Sequence, residues 1–222
     1  ANIAVFVLTA VPKFTTGGQE AAWFLYQYLG MTPAIFWSQF TLWMPFTYLF
    51  LHGGIMHVLF NMLMLWFLGG EVENVFGTKR FVFYYFLCGA GAGLLVAVLQ
   101  AGMQIPTIGA SGAIYGILTA FGLFFPERII YIYGIFPVKA KYLVIGAAVL
   151  TFLFSLSSAD STISHVAHLS GIAIGFVYIR WRRIGAIFRG LFRRKPRNKA
   201  DVIDIEQMRK MFEDNDDDQK IH

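Results

Sequence analysis

The sequence predicts an all-α, polytopic membrane protein: a bundle of six transmembrane helices with a membrane-embedded first loop. Its 222 residues are 57% hydrophobic and only 14% charged, whereas soluble domains average about 45–50% apolar and about 25% charged residues. The apolar residues fall into separate runs, and the charges collect toward the C-terminal end. This composition is typical of a protein that lies in a bilayer.

Six apolar runs mark the expected spans. A helix needs about 20 residues to cross the apolar core of a bilayer, so the chain has room for six spans with short connections. The first run has neither the basic region nor the cleavage site of a signal peptide. Because it also lacks an initiator methionine, we expect a first helix that is truncated at its N-terminus. The runs cover residues 1–12, 50–70, 81–101, 111–125, 142–157 and 165–181.

The segment between the first two runs, residues 14–48, is rich in aromatic residues and poor in charge. Aromatic rings prefer the interface between membrane and water. We therefore expect this segment to form the membrane-embedded first loop. Its aromatic residues include Trp23, Phe24, Tyr26, Tyr28, Phe36, Trp37, Phe40, Trp43 and Phe46.

The basic residues predict the orientation of the spans. With a cytoplasmic N-terminus, 17 of the 18 lysines and arginines fall on the cytoplasmic side, and Lys13 alone falls on the other. Such an excess marks the cytoplasmic side of membrane proteins. Both termini are therefore expected in the cytoplasm. The single cysteine and the short tails fit a bacterial plasma (inner) membrane. The starts of the fourth and sixth spans then face the extracytoplasmic side.

Two regions are expected along the chain. Residues 1–181 form a six-span domain, and residues 182–222 form a cytoplasmic tail that is first basic and then acidic. Because the basic run directly follows a span, it is expected to lie against anionic lipid headgroups rather than nucleic acid. Cys88 is the only cysteine, so the chain has no internal disulfide and no cysteine metal site.

A small set of polar residues lies within or at the ends of the spans, where such side chains are costly and usually functional. The spacings i,i+4 and i,i+3 place pairs of them on one helix face each. Three helices would therefore offer polar faces at similar depth, toward the outer side, and a bundle would bring those faces together. The set consists of His52, His57, Asn61, Ser111, Tyr115, His165 and His168.

Ser111 is the candidate nucleophile. It would begin the fourth span, where free backbone N–H groups favour a developing negative charge. A serine hydroxyl needs a neighbouring base, and histidine is the common one; His168 is the candidate. Tyr115, one turn deeper than Ser111, could support the imidazole ring. His57 and Asn61 could donate hydrogen bonds to the oxyanion.

Four glycines would allow the close packing that this site requires. Gly109 and Gly112 flank the serine and let a partner backbone or a substrate approach. Gly171 and Gly175 form a GxxxG pattern after His168, which typically marks a close contact between helices. A purely structural role for Ser111, as a small residue at a contact between helices, is compatible with this arrangement.

Zinc catalysis is the chemical rival. Three or four histidines with Glu71 or Glu73 could hold a zinc ion. However, the sequence contains no HExxH motif, and both glutamates fall at the inner end of the second span, away from His168. We therefore expect no metal and no other cofactor.

Four stretches resemble the rhomboid family of intramembrane serine proteases. They are "HGGIMHVLFN" at 52–61, "LGGEVENVFG" at 68–77, "GASGAIYG" at 109–116 and "HVAHLSGIAIG" at 165–175. GxSG alone is weak evidence, but its combination with the tyrosine, the preceding histidine–asparagine span and the following histidine–glycine span is specific. The resemblance implies a rhomboid-like bundle of six helices.

The resemblance also implies roles for the site residues. Ser111 would be the nucleophile and His168 the general base, without an acidic third member. His57, Asn61 and the Ser111 N–H would form the oxyanion hole, and Tyr115 would stack on His168. The partners would be transmembrane substrate proteins and the lipid bilayer, with cleavage near the outer membrane surface.

One departure from the family pattern lies in the first loop, where Trp43 is followed by Met44 instead of the frequent arginine. Two other functions remain open at this stage. A catalytically silent relative could bind transmembrane clients without a nucleophile. A histidine-lined proton or ion pathway is the third possibility, although it gives no account of the GxSG–tyrosine spacing.

Overall fold

The computed structural model describes residues 1–10, 18–132, 134–157, 165–192 and 210. Helices make up most of the described chain. A 3₁₀ turn, Tyr48–Phe50, joins the fourth helix to the fifth. The α-helices are α1 (Asn2–Ala10), α2 (Gly18–Leu29), α3 (Pro33–Gln39), α4 (Met44–Thr47), α5 (Ile55–Phe76), α6 (Thr78–Leu99), α7 (Ser111–Phe124), α8 (Ala140–Ser157) and α9 (His165–Phe192).

Each of the six predicted apolar runs corresponds to a helix, namely α1 and α5–α9. By length and hydropathy, α5 and α6 are the two described helices that could cross a membrane, while α7 and α8 are apolar but shorter. A span count of six therefore stays a prediction. Helix α9 continues beyond the expected domain boundary at residue 181 and ends at Phe192. The remainder of the predicted tail lies outside the described residues, except for residue 210.

The prediction of an all-α fold misses one element. An antiparallel hairpin of β1 (Ile129–Ile132) and β2 (Phe136–Lys139) connects α7 to α8. The β-branched and aromatic residues of this short stretch favour strands, but the stretch is too brief to stand out beside the long apolar runs. Gly134 in the turn has a positive φ of 72°, which glycine adopts without strain.

The predicted first loop is itself largely helical, because it contains α2, α3 and α4. Backbone hydrogen bonds tie it to the segment before α7: Met31 N–H donates to Thr107 O (2.8 Å), and Thr107 N–H donates to Met31 O (2.9 Å). The indole N–H of Trp43 donates to Tyr28 O (2.9 Å). Met44, which stands where the family often has arginine, is fully buried, so this position has no access to water.

Helix α7 lies at the centre of the bundle, and glycines bring it against α9. A side chain on Gly171 would overlap the carbonyl oxygen of Gly112, and a Cβ on Gly175 would lie 3.2 Å from the Cα of Gly116. Two turns of each helix therefore meet backbone to backbone. Tyr84 of α6 closes this contact by donating its hydroxyl to Gly116 O at 2.6 Å.

Charged groups gather at the end of the bundle that carries the hairpin. Arg128 forms an ion pair with Glu71 of α5 at 3.0 Å. Glu127 accepts hydrogen bonds from the ammonium groups of Lys139 (2.7 Å) and Lys141. These bonds, that from Lys139 first, lower the pKa of the exposed Glu127 carboxyl to about 2.

Candidate active site

The backbone turns sharply just before α7 and presents Ser111 as the first residue of the helix. Gly109 makes this turn with a φ of 116°, a value that side-chain-bearing residues rarely adopt. Its N–H donates to Tyr48 O at 2.9 Å, which fixes the turn to the chain just before α5. Ser111 is only half-buried, so its hydroxyl is not sealed in the core.

The side chains of Ser111 and His168 meet across the contact between α7 and α9. His168 Nε2 lies 2.7 Å from Ser111 Oγ, the distance of a hydrogen bond. His168 is 9% exposed and lies one turn before Gly171 on α9. Because Gly171 touches the backbone of Gly112, the residue after Ser111, the glycine contact sets the separation of the two functional groups.

Tyr115 supports the face of the imidazole. Its ring is stacked on that of His168, with centroids 4.2 Å apart and planes 10° from parallel. His165 approaches His168 edge-on, with centroids 6.3 Å apart, and lies over Phe154 of α8 on its other side at 5.7 Å. The predicted tyrosine therefore lies beside the histidine, and the ring orientation of His168 is held from two directions.

His57 of α5 reaches the same turn from the other side. A Cβ on Gly109 would lie 2.6 Å from His57 Nε2, so the histidine ring rests directly on the backbone that precedes Ser111. Gly53 N–H points at His57 Nδ1 across a long 3.4 Å contact. A ring nitrogen that accepts from a backbone N–H carries no proton, so the proton of neutral His57 belongs on Nε2, the atom that faces the site.

Asn61 lies one turn after His57 on α5. Its Nδ2 donates to His57 O at 2.9 Å and would lie 3.8 Å from a Cβ on Gly109. The same amide nitrogen carries a second hydrogen, which the bond to His57 O does not use. His57 and Asn61, the two side chains predicted to donate to the oxyanion, therefore both lie beside Gly109.

His52 is fully buried and packs edge-on against His57, with ring centroids 5.0 Å apart. Its Nδ1 lies 3.3 Å from Phe50 O. No described contact joins it to the Ser111–His168 pair. Within the described ranges no group of three histidine, cysteine or acidic side chains is arranged to bind a metal, and Glu71 instead pairs with Arg128.

Three residues that position the site were not singled out from the sequence. Gly116 extends the glycine contact by one turn, and the spacing Gly112–x₃–Gly116 could have revealed it. Tyr84 and Tyr48 bond to backbone carbonyls of the neighbouring helices α7 and α6, at 2.6 and 2.7 Å. Nothing in the sequence around either tyrosine indicates these partners, because both contacts join segments far apart in the chain.

The Rhomboid domain model matches residues 39–183 of this chain. The chain belongs to the rhomboid family. This range contains every residue of the candidate site and the helices α5–α8, together with most of α9. As a rhomboid protein the chain is embedded in a membrane, in agreement with its two long apolar helices.

Several curated relatives are similar to this rhomboid chain. RHOMBOID-like protein 1 of Arabidopsis thaliana is 34% identical over 139 residues, which are 61% of this chain and 33% of that protein. Rhomboid protease GluP of Bacillus subtilis is 33% identical over 135 residues, 60% of this chain and 25% of that protein. Rhomboid protease GlpG of Klebsiella pneumoniae is 30% identical over 171 residues, which are 71% of this chain and 59% of that protein. The matched region thus spans only part of these relatives.

Proposed function

We propose that this rhomboid protein is an intramembrane serine endopeptidase that cleaves transmembrane segments of other membrane proteins by a Ser–His dyad. The observation that carries the proposal is the 2.7 Å contact between Ser111 Oγ and His168 Nε2. A base within hydrogen-bond reach of a hydroxyl at the start of a helix is the arrangement that nucleophilic catalysis needs. The relatives that are named as proteases support it.

The reaction follows from the positions of these groups. Ser111 Oγ attacks the carbonyl carbon of the scissile peptide bond while His168 Nε2 takes the hydroxyl proton. The resulting tetrahedral intermediate collapses, the C–N bond breaks, and His168 returns the proton to the departing amine. Water, deprotonated by His168, then hydrolyses the acyl ester on Ser111 and releases the second product.

The negative charge that develops on the substrate oxygen has three donors nearby. Ser111 N–H, at the first position of α7, has no partner within the helix. His57 Nε2–H faces the same turn, and the second amide hydrogen of Asn61 is available. Donors fixed in advance at the site of developing charge are usually the largest single contribution to such catalysis.

The membrane arrangement that serves this reaction has six spans and both termini in the cytoplasm of a bacterial cell. Residues 1–181 would then form the protease domain, and residues 182–222 the tail. The bias of positive charge supports this orientation. Ser111, at the start of α7, would lie below the extracytoplasmic surface in a cavity open to water, and substrates would be cut near that surface.

Two replacements of Tyr115 distinguish the contribution of its ring from that of its hydroxyl. Tyr115→Leu is expected to lower kcat about tenfold or less, since a stacked aromatic pair contributes roughly 0.5–1.5 kcal/mol beyond its burial. Tyr115→Phe keeps the stacked face and should retain most of the rate. The measurement is kcat on a model transmembrane substrate. Equal losses in both variants would mean that the hydroxyl, not the stack on His168, is what matters.

The proposal as a whole is tested with the purified full chain in liposomes that also contain a model transmembrane protein. We expect one endoproteolytic cut near the outer end of the substrate's span, insensitive to metal chelators. If substrate co-purifies with the chain but remains intact, the chain is a silent relative that binds transmembrane clients, and the proposed activity is wrong.

A further inference from the structure

The β1–β2 hairpin exposes an apolar face. Its register pairs Ile129 with Lys139 and Tyr131 with Pro137, so these four side chains share one side of the two-stranded sheet. Ile129 and Tyr131 are 51% and 61% exposed. On the opposite side Ile130, Ile132 and Val138 are partly buried, and Ile130 packs against the core.

An exposed face of apolar side chains is unfavourable in water. An antiparallel ribbon that packs one face on a core normally turns polar side chains to the other. Here three of the four outward residues are apolar, and the tip adds the exposed Ile135 and Phe136. The outward face is therefore suited to an apolar surrounding.

The hairpin lies at the end of the bundle opposite to Ser111. Helix α7 has 14 residues and is about 21 Å long at about 1.5 Å per residue. The hairpin then leads into α8, whose exposed Tyr142, Ile145 and Val149 lie on one side of that helix. The hairpin is thus followed along the chain by a helix that also exposes an apolar stripe.

Cations surround the base of the hairpin. Arg128 precedes β1, Lys139 ends β2, and Lys141 follows at the start of α8. The ion pair from Arg128 to Glu71 joins this end to α5, and the turn from α5 into α6 adds Lys79. Glu127 pairs with Lys139 and Lys141, so the net positive charge at this end is smaller than its number of basic residues. Each basic side chain near an anionic leaflet contributes at most on the order of 1 kcal/mol to binding.

From these observations we infer that the hairpin is a membrane-interface anchor. The face formed by Ile129, Tyr131 and Pro137 enters the boundary between headgroups and acyl chains of an anionic leaflet. Lys139 lies at the edge of this face, where its ammonium group pairs with Glu127 at 2.7 Å while its methylene chain can lie along the apolar boundary. Tyrosine is a residue that favours this depth.

The size of the face argues against a protein partner. Four residues per strand span about 13 Å, and two strands lie about 5 Å apart. The face is therefore far smaller than the roughly 800 Å² per partner of a stable interface. Partial insertion into lipid needs only a few such side chains.

The experiment uses the full chain with a nitroxide label on Tyr131→Cys, reconstituted in vesicles of phosphatidylglycerol and phosphatidylcholine. Cys88 is buried, and the unsubstituted chain measures its background labelling. The control is Asn74→Cys, an exposed polar position near the same end of α5. We expect the ratio of oxygen to nickel-complex accessibility to be several-fold higher at position 131 than at 74.

A second arm tests the role of charge and of the neighbouring side chain. In vesicles of phosphatidylcholine alone, or after Ile129→Asp, the ratio at position 131 should fall toward that at 74. Preferential access of the nickel complex at 131 in anionic vesicles would overturn the anchor. So would shielding from both reagents, because that result indicates cover by protein, either a second copy or another segment of this chain. Neither readout depends on proteolysis, so failure of the anchor and failure of the proposed function are distinguishable.

Discussion

Ser111→Ala is expected to lower the rate of substrate cleavage by about 10⁴-fold or more, the scale of loss when a serine protease loses its nucleophile. The reason is that no other described hydroxyl lies within hydrogen-bond reach of His168; Oγ of Ser111 lies 2.7 Å from its Nε2. Loss of this one oxygen removes the covalent route and leaves the oxyanion donors in place. The measurement is the initial rate of cleavage of a model transmembrane substrate in liposomes.

Two further variants sharpen this result. His168→Ala should cost a similar factor, and the double variant should lose little more than either single one, because residues that act as a unit are not additive. Ser155→Ala on α8 is the matched control: its hydroxyl donates to Phe152 O at 2.6 Å, within its own helix. Additive losses from Ser111 and His168 would show that the two groups do not act in one step.

Gly171→Ala is expected to lower activity by at least about 10²-fold, the scale reported for misplacing catalytic groups by an ångström. The added methyl group would overlap the carbonyl oxygen of Gly112 on α7. Because that atom belongs to the backbone, it cannot rotate away, and α7 and α9 must separate. The separation carries His168 away from Ser111, and overpacking of this kind also costs about 1–3 kcal/mol of stability.

Gly146→Ala on α8 is the control for this variant, since a Cβ there meets nothing within 4 Å. It should leave activity unchanged and raise helix stability slightly, by about 0.4–1 kcal/mol. Thermal unfolding in detergent and cleavage rates in liposomes measure both effects. If Gly171→Ala were as stable and active as Gly146→Ala, the backbone contact would not control the geometry of the site.

The sequence predicted the helical bundle and the grouping of its polar residues because both depend on local patterns. Long apolar runs locate α5 to α9, and helical spacing puts His57 with Asn61, and Ser111 with Tyr115, on shared faces. The GxxxG pattern at Gly171 and Gly175 indicated which helix approaches α7. The roles of these residues in catalysis stay predictions until the variants are measured.

The features that the sequence did not predict depend on contacts between distant segments. The turn at Gly109 is fixed by Tyr48 O, and the first loop is fixed to the chain before α7 by the pairing of Met31 with Thr107. The β1–β2 hairpin escaped notice because four-residue strands give too short a pattern. The helices of the first loop escaped notice because a high content of aromatic residues does not by itself distinguish a helix from a coil.

The most direct measurement is labelling by a fluorophosphonate, which reacts with an activated serine, followed by peptide mass spectrometry of the modified chain. The account predicts modification at Ser111 in the unsubstituted protein and strong loss of modification in His168→Ala. Modification of Ser111 at an equal rate without His168 would contradict the dyad. An unmodified Ser111 in a folded chain that still cleaves its substrate would contradict the nucleophile itself.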